Sequence, residues 1–174
     1  MTQVWAAISS KRMVREFANR PLAPQHLSRI LDAGRHAASS KNKQRWDFIV
    51  IRDRATLRRL AEVGPFAGHV AGAAAAIALV TPDPTVPDAS LSLVWDAGLA
   101  AENMMLAAWE LGIGSCPATV YDQSVAREIL AYPDDRWCGY ILSFGYPADP
   151  DDLTRPPRTG GRKPLDEVVH RERW

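Results

Sequence analysis

Apolar residues spaced three and four positions apart recur along the chain, which is the pattern of helices that pack on one face. The first such stretch predicts a short helix with Val4, Trp5 and Ile8 on its buried side. Asp53 and Asp122 each precede a shorter stretch and can cap it. The predicted helices cover residues 3–10, 24–38, 54–60, 90 or 92–111, and 123–130.

The fourth of these helices differs from the others because apolar residues cover most of its circumference. Its polar exceptions are Asp96, Glu102, Asn103 and Glu110. A helix that is apolar nearly all round must be buried on several sides. We therefore expect it in the middle of the domain or against another subunit.

Four short stretches predict strands. Residues 46–53 and 137–145 are apolar on both sides at their centres, so both are predicted to be internal strands. Residues 73–81 are rich in alanine, but their length and proline-rich exit favour a strand, and residues 114–119 are short and extended. Because helices and strands mix without strict alternation, the predicted fold class is α+β, or a mixed-sheet α/β layer.

The composition fits a single domain spanning residues 1–174. Hydrophobic residues make up 47% and charged residues 24% of the chain, which excludes a disordered or fibrous protein. The longest apolar run is too short to span a bilayer, and the N-terminus lacks the pattern of a secretory signal. The sequence therefore predicts a cytoplasmic protein.

The net charge of +1 hides an uneven distribution of charge. Residues 1–45 contain nine Lys or Arg residues against Glu16 and Asp32, so nine minus two leaves a local balance of +7. A basic quarter on a nearly neutral chain indicates one anionic ligand near that segment. A nucleic-acid patch is a weaker alternative, since few aromatic residues lie among these arginines to stack on bases.

Side chains that carry out chemistry alone are hard to find in this sequence. There is no Walker loop, and Gly112 and Gly114 lack the third glycine and the preceding strand of a dinucleotide-binding fingerprint. The four histidines do not have metal-ligand spacing, so no metal site is predicted. Cys116 is interpreted as a buried structural thiol. These observations indicate that a bound cofactor carries the reaction.

Five segments, in order along the chain, carry a resemblance to a known family. They read KRMVREF (11–17), AASSKNKQRW (37–46), DAGLAAENMMLAAWELGIGSCPA (96–118), LSFGYP (142–147) and RKPLDEVVH (162–170). Together they resemble the flavin-dependent nitroreductase family. The resemblance implies a nitroreductase-like fold, with helices flanking a central and mostly antiparallel sheet, and it implies FMN as the cofactor.

The first segment resembles the motif Arg-Arg-Ser-x-Arg-x-Phe, which in the family holds the FMN phosphate and ribityl chain. By that resemblance Lys11 and Arg12 occupy the two basic positions, and Arg15 lies beneath the flavin ring. Met13 replaces the serine, and its side chain cannot donate a hydrogen bond to phosphate.

The second segment resembles Ala-Pro-Ser-x-x-Asn-x-Gln-Pro-Trp, which the family uses for the flavin and the substrate pocket. Ala38 and Arg45 stand where the family has proline, so the loop is expected to be less rigid. The matching residues implied to contact the polar edge of the flavin are Ser39, Ser40, Asn42 and Gln44.

The stretch that follows the long helix resembles the segment lying over one flavin face in the family. It comprises Pro117, Ala118, Thr119 and Val120. The resemblance implies that a main-chain N–H, that of Thr119 or of Val120, reaches flavin N5.

The last segment places Arg162 on the family's phosphate-binding arginine, with Lys163 as a possible substitute. Gly160 occupies a position that is basic in some members, so one contact is missing. The resemblance also implies a homodimer in which the extension over residues 146–174 packs on the partner subunit. From the residues alone, the tail after 162 is expected to form one or two helical turns at most.

The resemblance implies an FMN-dependent oxidoreductase that passes hydride from NADH or NADPH through flavin N5 to nitroaromatic, quinone or similar acceptors. The implied mechanism is ping-pong and uses no catalytic side chain. No nucleic acid or membrane is expected as a partner. One alternative is a flavin-binding or flavin-sequestering protein without turnover, as the departures at Met13, Ala38, Arg45 and Gly160 suggest. Another is a family member that dehalogenates its substrate or fragments the flavin.

Overall fold

The computed structural model of the chain describes residues 3–156 and 160–174. Its centre is an antiparallel sheet of four strands in the spatial order β1-β2-β4-β3. The strands are β1 (Asp47–Ile51), β2 (Ala75–Pro82), β3 (Gly114–Thr119) and β4 (Arg136–Gly145). Each stretch predicted to be a strand forms one, and the α+β class is confirmed.

The helices also follow the sequence pattern, except that the second helix ends at Arg35 and not at residue 38 as predicted. Asp53 accepts a hydrogen bond from the Thr56 N–H at 2.8 Å, and Asp122 accepts one from the Val125 N–H at 3.0 Å, so both predicted caps are confirmed. No described helix combines the length and apolarity needed to cross a membrane. The α-helices are α1 (Gln3–Ser10), α2 (Pro24–Arg35), α3 (Arg54–Leu60), α4 (Ser92–Glu110), α5 (Gln123–Leu130) and α6 (Leu165–Val168).

Helices cover both faces of the sheet and create two apolar cores. On one face α3 and α5 pack on a core that includes Leu57 and Ile141. On the other face α2 and α4 pack on a core that includes Ile30 and Met104. All four side chains are fully buried, and complete burial of such a side chain contributes about 1.5–3 kcal/mol.

β1 lies at an edge of the sheet, so the prediction of an internal strand at residues 46–53 was wrong. Phe48 packs toward the core beneath α2 and α4, whereas Ile49 packs toward the opposite core. Both sides of β1 are apolar because helices cover both faces of the sheet. This pattern does not require that β1 have a neighbouring strand on each side. β4, in contrast, lies between β2 and β3 and is internal as predicted.

The predicted buried side of α1 is exposed in the single chain. Val4 and Ile8 are 69% and 50% exposed, and Trp5 is exposed as well, whereas Ala7 is buried. The prediction was wrong for this chain because α1 packs on α4 with the small side chain of Ala7 and leaves its large apolar residues on the outside.

α4 is buried along one side and exposed near its start. Ala97 and Met105 are buried, but Leu91, just before the helix, is 93% exposed and Trp95 is 70% exposed. One chain therefore covers only part of this apolar helix.

The two halves of the predicted C-terminal extension behave differently. Near its start, the Tyr146 carbonyl accepts a hydrogen bond from the Ala18 N–H, and the Ala148 N–H donates one to the Glu16 carbonyl. From residue 160 to 174, which we call the tail, every residue is exposed, and α6 has a single turn. Residues 157–159 lie outside the described residues.

Candidate functional site

Residues 11–18, which we call the connector, run along the outer edge of β3. The Val14 N–H donates to the Ser115 carbonyl at 3.0 Å, and Val14 is buried. A Cβ on Gly114 would lie 2.5 Å from the Val14 Cβ, so only glycine allows this close approach. The connector thereby fixes the predicted cofactor residues Lys11, Arg12, Met13 and Arg15 beside β3.

Lys11 is held by an acidic residue of α4. Its Nζ lies 3.2 Å from Glu102 Oε2, and the lysine side chain is only 9% exposed. An anionic ligand at Lys11 must therefore share this ammonium group with Glu102 or displace the carboxylate.

Arg12 is anchored by main-chain carbonyls. Its Nε donates to the Arg155 carbonyl at 2.8 Å, and its Nη1 donates to those of Ser9 and Lys11. Nη2 has no partner among the described residues, so two N–H groups remain available for an anion.

Arg15 and Met13 differ from Arg12 because neither has a side-chain hydrogen bond to a described residue. Both side chains are exposed, and both line a cleft of about 530 Å³ that also includes Arg12 and Arg155. Met13 replaces the family's serine, and its backbone instead forms a bridge with Ser115.

The outer edge of β3 leaves one main-chain donor open. The Val120 N–H donates to the Gly139 carbonyl, so this candidate for the flavin contact is already engaged with β4. Hydrogen-bonded and non-bonded pairs alternate in an antiparallel ladder, so the Thr119 N–H points away from β4, where the described residues offer it no acceptor. Ser115 is engaged by the connector and Pro117 has no N–H, so Thr119 is the remaining candidate of the two.

A buried polar cluster supports β3 from the face that carries α3 and α5. Ser143 Oγ donates to the Cys116 carbonyl at 3.1 Å and lies 2.8 Å from His69 Nδ1. The Nε2 atom of the same ring is buried without a hydrogen-bond partner in the described part of the chain. No sequence pattern indicated this cluster, because its members are distant along the chain.

Electrostatics connect this cluster to the connector. Burial lowers the pKa of His69, and the charge of Arg15 lowers it further, while the Pro117 carbonyl acts in the opposite direction. Burial also raises the pKa of the Cys116 thiol, although Arg15 and Lys11 oppose the shift. His69 is therefore neutral at pH 7 and Cys116 is a protonated, buried thiol, as predicted for Cys116.

Residues 39–45, which we call the polar loop, connect α2 to β1 through a 3-10 turn at Ser40–Asn42. Ser39 Oγ accepts a hydrogen bond from the Gln44 N–H at 3.0 Å, and Asn42 Oδ1 accepts one from Gln44 Nε2 at 3.0 Å. Three of the four predicted flavin contacts in this loop thus form one hydrogen-bonded unit, and the side chain of the fourth, Ser40, is exposed beside it.

The structure does not bring the tail cations to the connector. Arg162 and Lys163 are exposed, and neither makes a hydrogen bond or an ion pair with a described residue. Within residues 3–156 and 160–174 there is also no group of three His, Cys, Asp or Glu side chains placed to hold a metal ion.

Comparison with known proteins gives a consistent result. The sequence model of the nitroreductase family matches residues 8–64 and 66–146. A candidate NADH dehydrogenase/NAD(P)H nitroreductase from Archaeoglobus fulgidus is 33% identical over 185 residues, which cover all of both chains. An NADPH-flavin oxidoreductase from Vibrio harveyi is 25% identical, over all of this chain and 75% of its own length.

Solved structures agree with these relatives. An FMN-dependent nitroreductase from Clostridium difficile superposes with a TM-score of 0.82 at 26% identity, covering 98% of this chain and 99% of its own. A candidate NADH dehydrogenase/NAD(P)H nitroreductase from Parabacteroides distasonis superposes over all of both chains with a TM-score of 0.85 at 26% identity. The matches extend over most of the sequence and over the whole fold, and the chain belongs to the nitroreductase family.

Proposed function

We propose that this chain catalyses the NAD(P)H-dependent reduction of nitroaromatic, quinone or similar conjugated acceptors, with the two substrates using one pocket in turn. Within its family the chain is an NAD(P)H-dependent oxidoreductase that uses FMN. The observation that carries the proposal is the outer edge of β3. There the Thr119 N–H and the Arg15 cation, neither of which has a partner among the described residues, flank the same strand.

The residues present fit FMN. The free Nη2 of Arg12 and the ammonium group of Lys11 would bind the phosphate, since charge-assisted hydrogen bonds to an anion are the strong ones. Met13 supplies no side-chain donor, which puts more of the phosphate binding on Arg12.

Bound FMN would supply the chemistry that takes a hydride from NAD(P)H and gives it to the acceptor. The chain's own residues then bind, orient and stabilise. The Thr119 N–H is the donor available for the ring edge, and the polar loop offers hydroxyl and amide groups for the pyrimidine edge. Arg15 would stabilise the negative charge that a reduced flavin carries.

We further propose that the working unit is a homodimer whose tails are exchanged. Leu91 and Trp95 at the start of α4, and Val4 on α1, are large apolar residues that the single chain leaves exposed. Another copy would bury them, and each is worth about 1.5–3 kcal/mol when removed from water. The tail, which buries nothing on its own chain, would bring Arg162 and Lys163 to the partner's phosphate site.

The first experiment identifies the cofactor. Purified protein is expected to show a flavin absorption spectrum and to release FMN, not FAD or riboflavin, on denaturation. A colourless protein that also fails to take up added FMN would overturn the proposed function.

The second experiment addresses the reaction. Initial rates measured while NADPH and a soluble quinone are both varied should give parallel double-reciprocal lines, which is the signature of substrates that use one site in turn. Intersecting lines would contradict this scheme. Retention of FMN without any turnover would instead favour a flavin-sequestering protein.

A further inference from the structure

The polar loop has an unusual backbone for residues other than glycine. Lys41, Asn42 and Gln44 have φ angles of 52°, 53° and 48°. The left-handed region is disfavoured for L-residues, although Asn tolerates it better than Lys or Gln. Three such residues within four positions persist only where neighbouring contacts hold them.

Two side chains of α4 provide the contacts that hold the loop from outside. Asp96 Oδ2 accepts a hydrogen bond from the Ser40 N–H at 3.1 Å, and Ser92 Oγ accepts one from Arg45 Nη2 at 2.7 Å. Ser92 and Asp96 are four residues apart, so they lie one turn apart on the same side of α4. The bonds among Ser39, Asn42 and Gln44 stay within the loop and cannot fix it relative to the helix.

Asp96 is an expensive residue to keep at this position. It is 3% exposed, and its recorded hydrogen bond is to a main-chain N–H, with no ion pair to a described residue. A buried carboxylate is costly unless its partners compensate. An apolar side chain at this position of α4 would fill the same space with a smaller desolvation penalty. What the carboxylate adds is therefore the hydrogen bond to Ser40.

We propose that Asp96 is a positioning residue for the flavin site, which rests on the function proposed above. By holding the Ser40 N–H, its carboxylate keeps the polar loop in one shape and presents Ser39, Asn42 and Gln44 as a preformed set of flavin contacts. Preformed contacts bind more tightly because the loop is ordered before the ligand arrives.

The test compares three variants on α4. Asp96→Ala removes the acceptor and should weaken FMN binding about tenfold, the effect of losing one good hydrogen bond. Asp96→Asn keeps an oxygen of the same shape and should restore most of the affinity. Asn103→Ala is the matched control, because Asn103 donates to the Ala33 carbonyl of α2 and not to the loop.

A second pair of variants removes the donor instead of the acceptor. Ser40 begins a 3-10 turn after the extended residue Ser39, a setting that accommodates proline. Ser40→Pro deletes the N–H and should weaken FMN binding as Asp96→Ala does, while Ser40→Ala deletes only the hydroxyl and measures its separate share. This pair keeps the proposal testable if Asp96→Ala fails to fold.

Hydrogen exchange of the apo-protein provides a readout that does not involve the cofactor. The Asn42, Lys43 and Gln44 amides are hydrogen-bonded within the loop and should exchange faster in Asp96→Ala and Ser40→Pro, but not in Asn103→Ala. Unchanged exchange, or FMN affinity within about twofold of the control, would overturn the positioning role. Failure of the unmodified protein to bind FMN would overturn the proposed function itself.

Discussion

The polar loop and the tail are both predicted to contact the same cofactor, yet the chain holds them in opposite ways. The loop has three strained residues and is fastened to α4 through Asp96 and Ser92. The tail has no buried residue, and its cations Arg162 and Lys163 have no partner among the described residues. This difference is the one that the proposed homodimer requires, in which one part of the site is built within each chain and the other would be supplied when two chains meet.

The strongest test of this difference is to remove the tail. A chain that ends at Pro156 keeps the contacts of residues 146–155 with the connector but loses Arg162, Lys163 and the apolar residues of α6. We expect FMN affinity to fall by at least about a hundredfold, because two phosphate cations are lost together. Fluorescence titration measures the affinity, and sedimentation at low micromolar concentration measures the dimer.

The same experiment can also contradict the proposed difference between the loop and the tail. A shortened chain that remains a well-folded monomer and keeps its FMN would show that each subunit completes its own site. The tail would then not be a shared part of the site.

A single substitution sharpens the role of the tail. Arg162→Ala should weaken FMN binding roughly ten- to hundredfold, since a charge-assisted contact contributes about 1.5–3 kcal/mol. Arg171→Ala removes the same charge nine positions later and should have little effect. Equal losses in the two variants would point to overall charge instead of a specific contact, and an unchanged affinity in Arg162→Ala would shift the phosphate contact to Lys163.

Backbone strain distinguishes the loop from the tail through a smaller effect on stability. Lys41→Gly should raise the free energy of unfolding by about 0.5–1 kcal/mol, because glycine adopts a φ of 52° without steric cost. Gly160 has a φ of 69°, but Gly160→Ala should leave the unfolding of the individual chain within about 0.5 kcal/mol, since the tail is not packed on it. Chemical denaturation measures the free energy of unfolding of both variants. A change in Lys41→Gly without a change in Gly160→Ala would show that the loop, and not the tail, is packed on its own chain.

His69 belongs to neither the polar loop nor the tail. Its substitution should have the smallest effect on stability and serves as a baseline for the other variants. Burial lowers its pKa below the ordinary value of 6.5, so the unfolded chain binds a proton that the folded chain resists. Stability should therefore be complete above pH 6.5 and decline as the pH falls through the lower folded value. His69→Asn should remove this part of the pH dependence equally in the full chain and in the chain ending at Pro156, and thermal denaturation across that range measures it. A pH dependence that disappears on shortening would show that the tail reaches His69.

Local pattern was sufficient to predict most of the fold. The strands, the caps at Asp53 and Asp122 and the bounds of α4 all depend on neighbours in sequence, where spacing and side-chain chemistry act directly. The position of β1 at the edge of the sheet was not predictable. Apolar residues on both sides of a strand indicate that both faces of the sheet are covered, but they do not indicate whether the strand has a neighbouring strand on each side.

The candidate site was predictable only in its components. Sequence resemblance pointed to Thr119 or Val120, but the alternation of the β3–β4 ladder was needed to show that the Val120 N–H is engaged. The cluster of His69, Ser143 and Cys116 depends on contacts between residues 74 and 27 positions apart in the chain, which no local pattern contains.

Both cysteines are buried, and burial raises the pKa of Cys138 to about 12 and that of Cys116 in the same direction. The thiolate, which is the form that reacts with electrophiles, is therefore scarce at neutral pH and out of reach of solvent. Quinones alkylate thiolates, so an enzyme that takes them as acceptors is exposed to inactivation by its own substrates. Burying both thiols gives this protein chemical durability toward the compounds it is proposed to reduce.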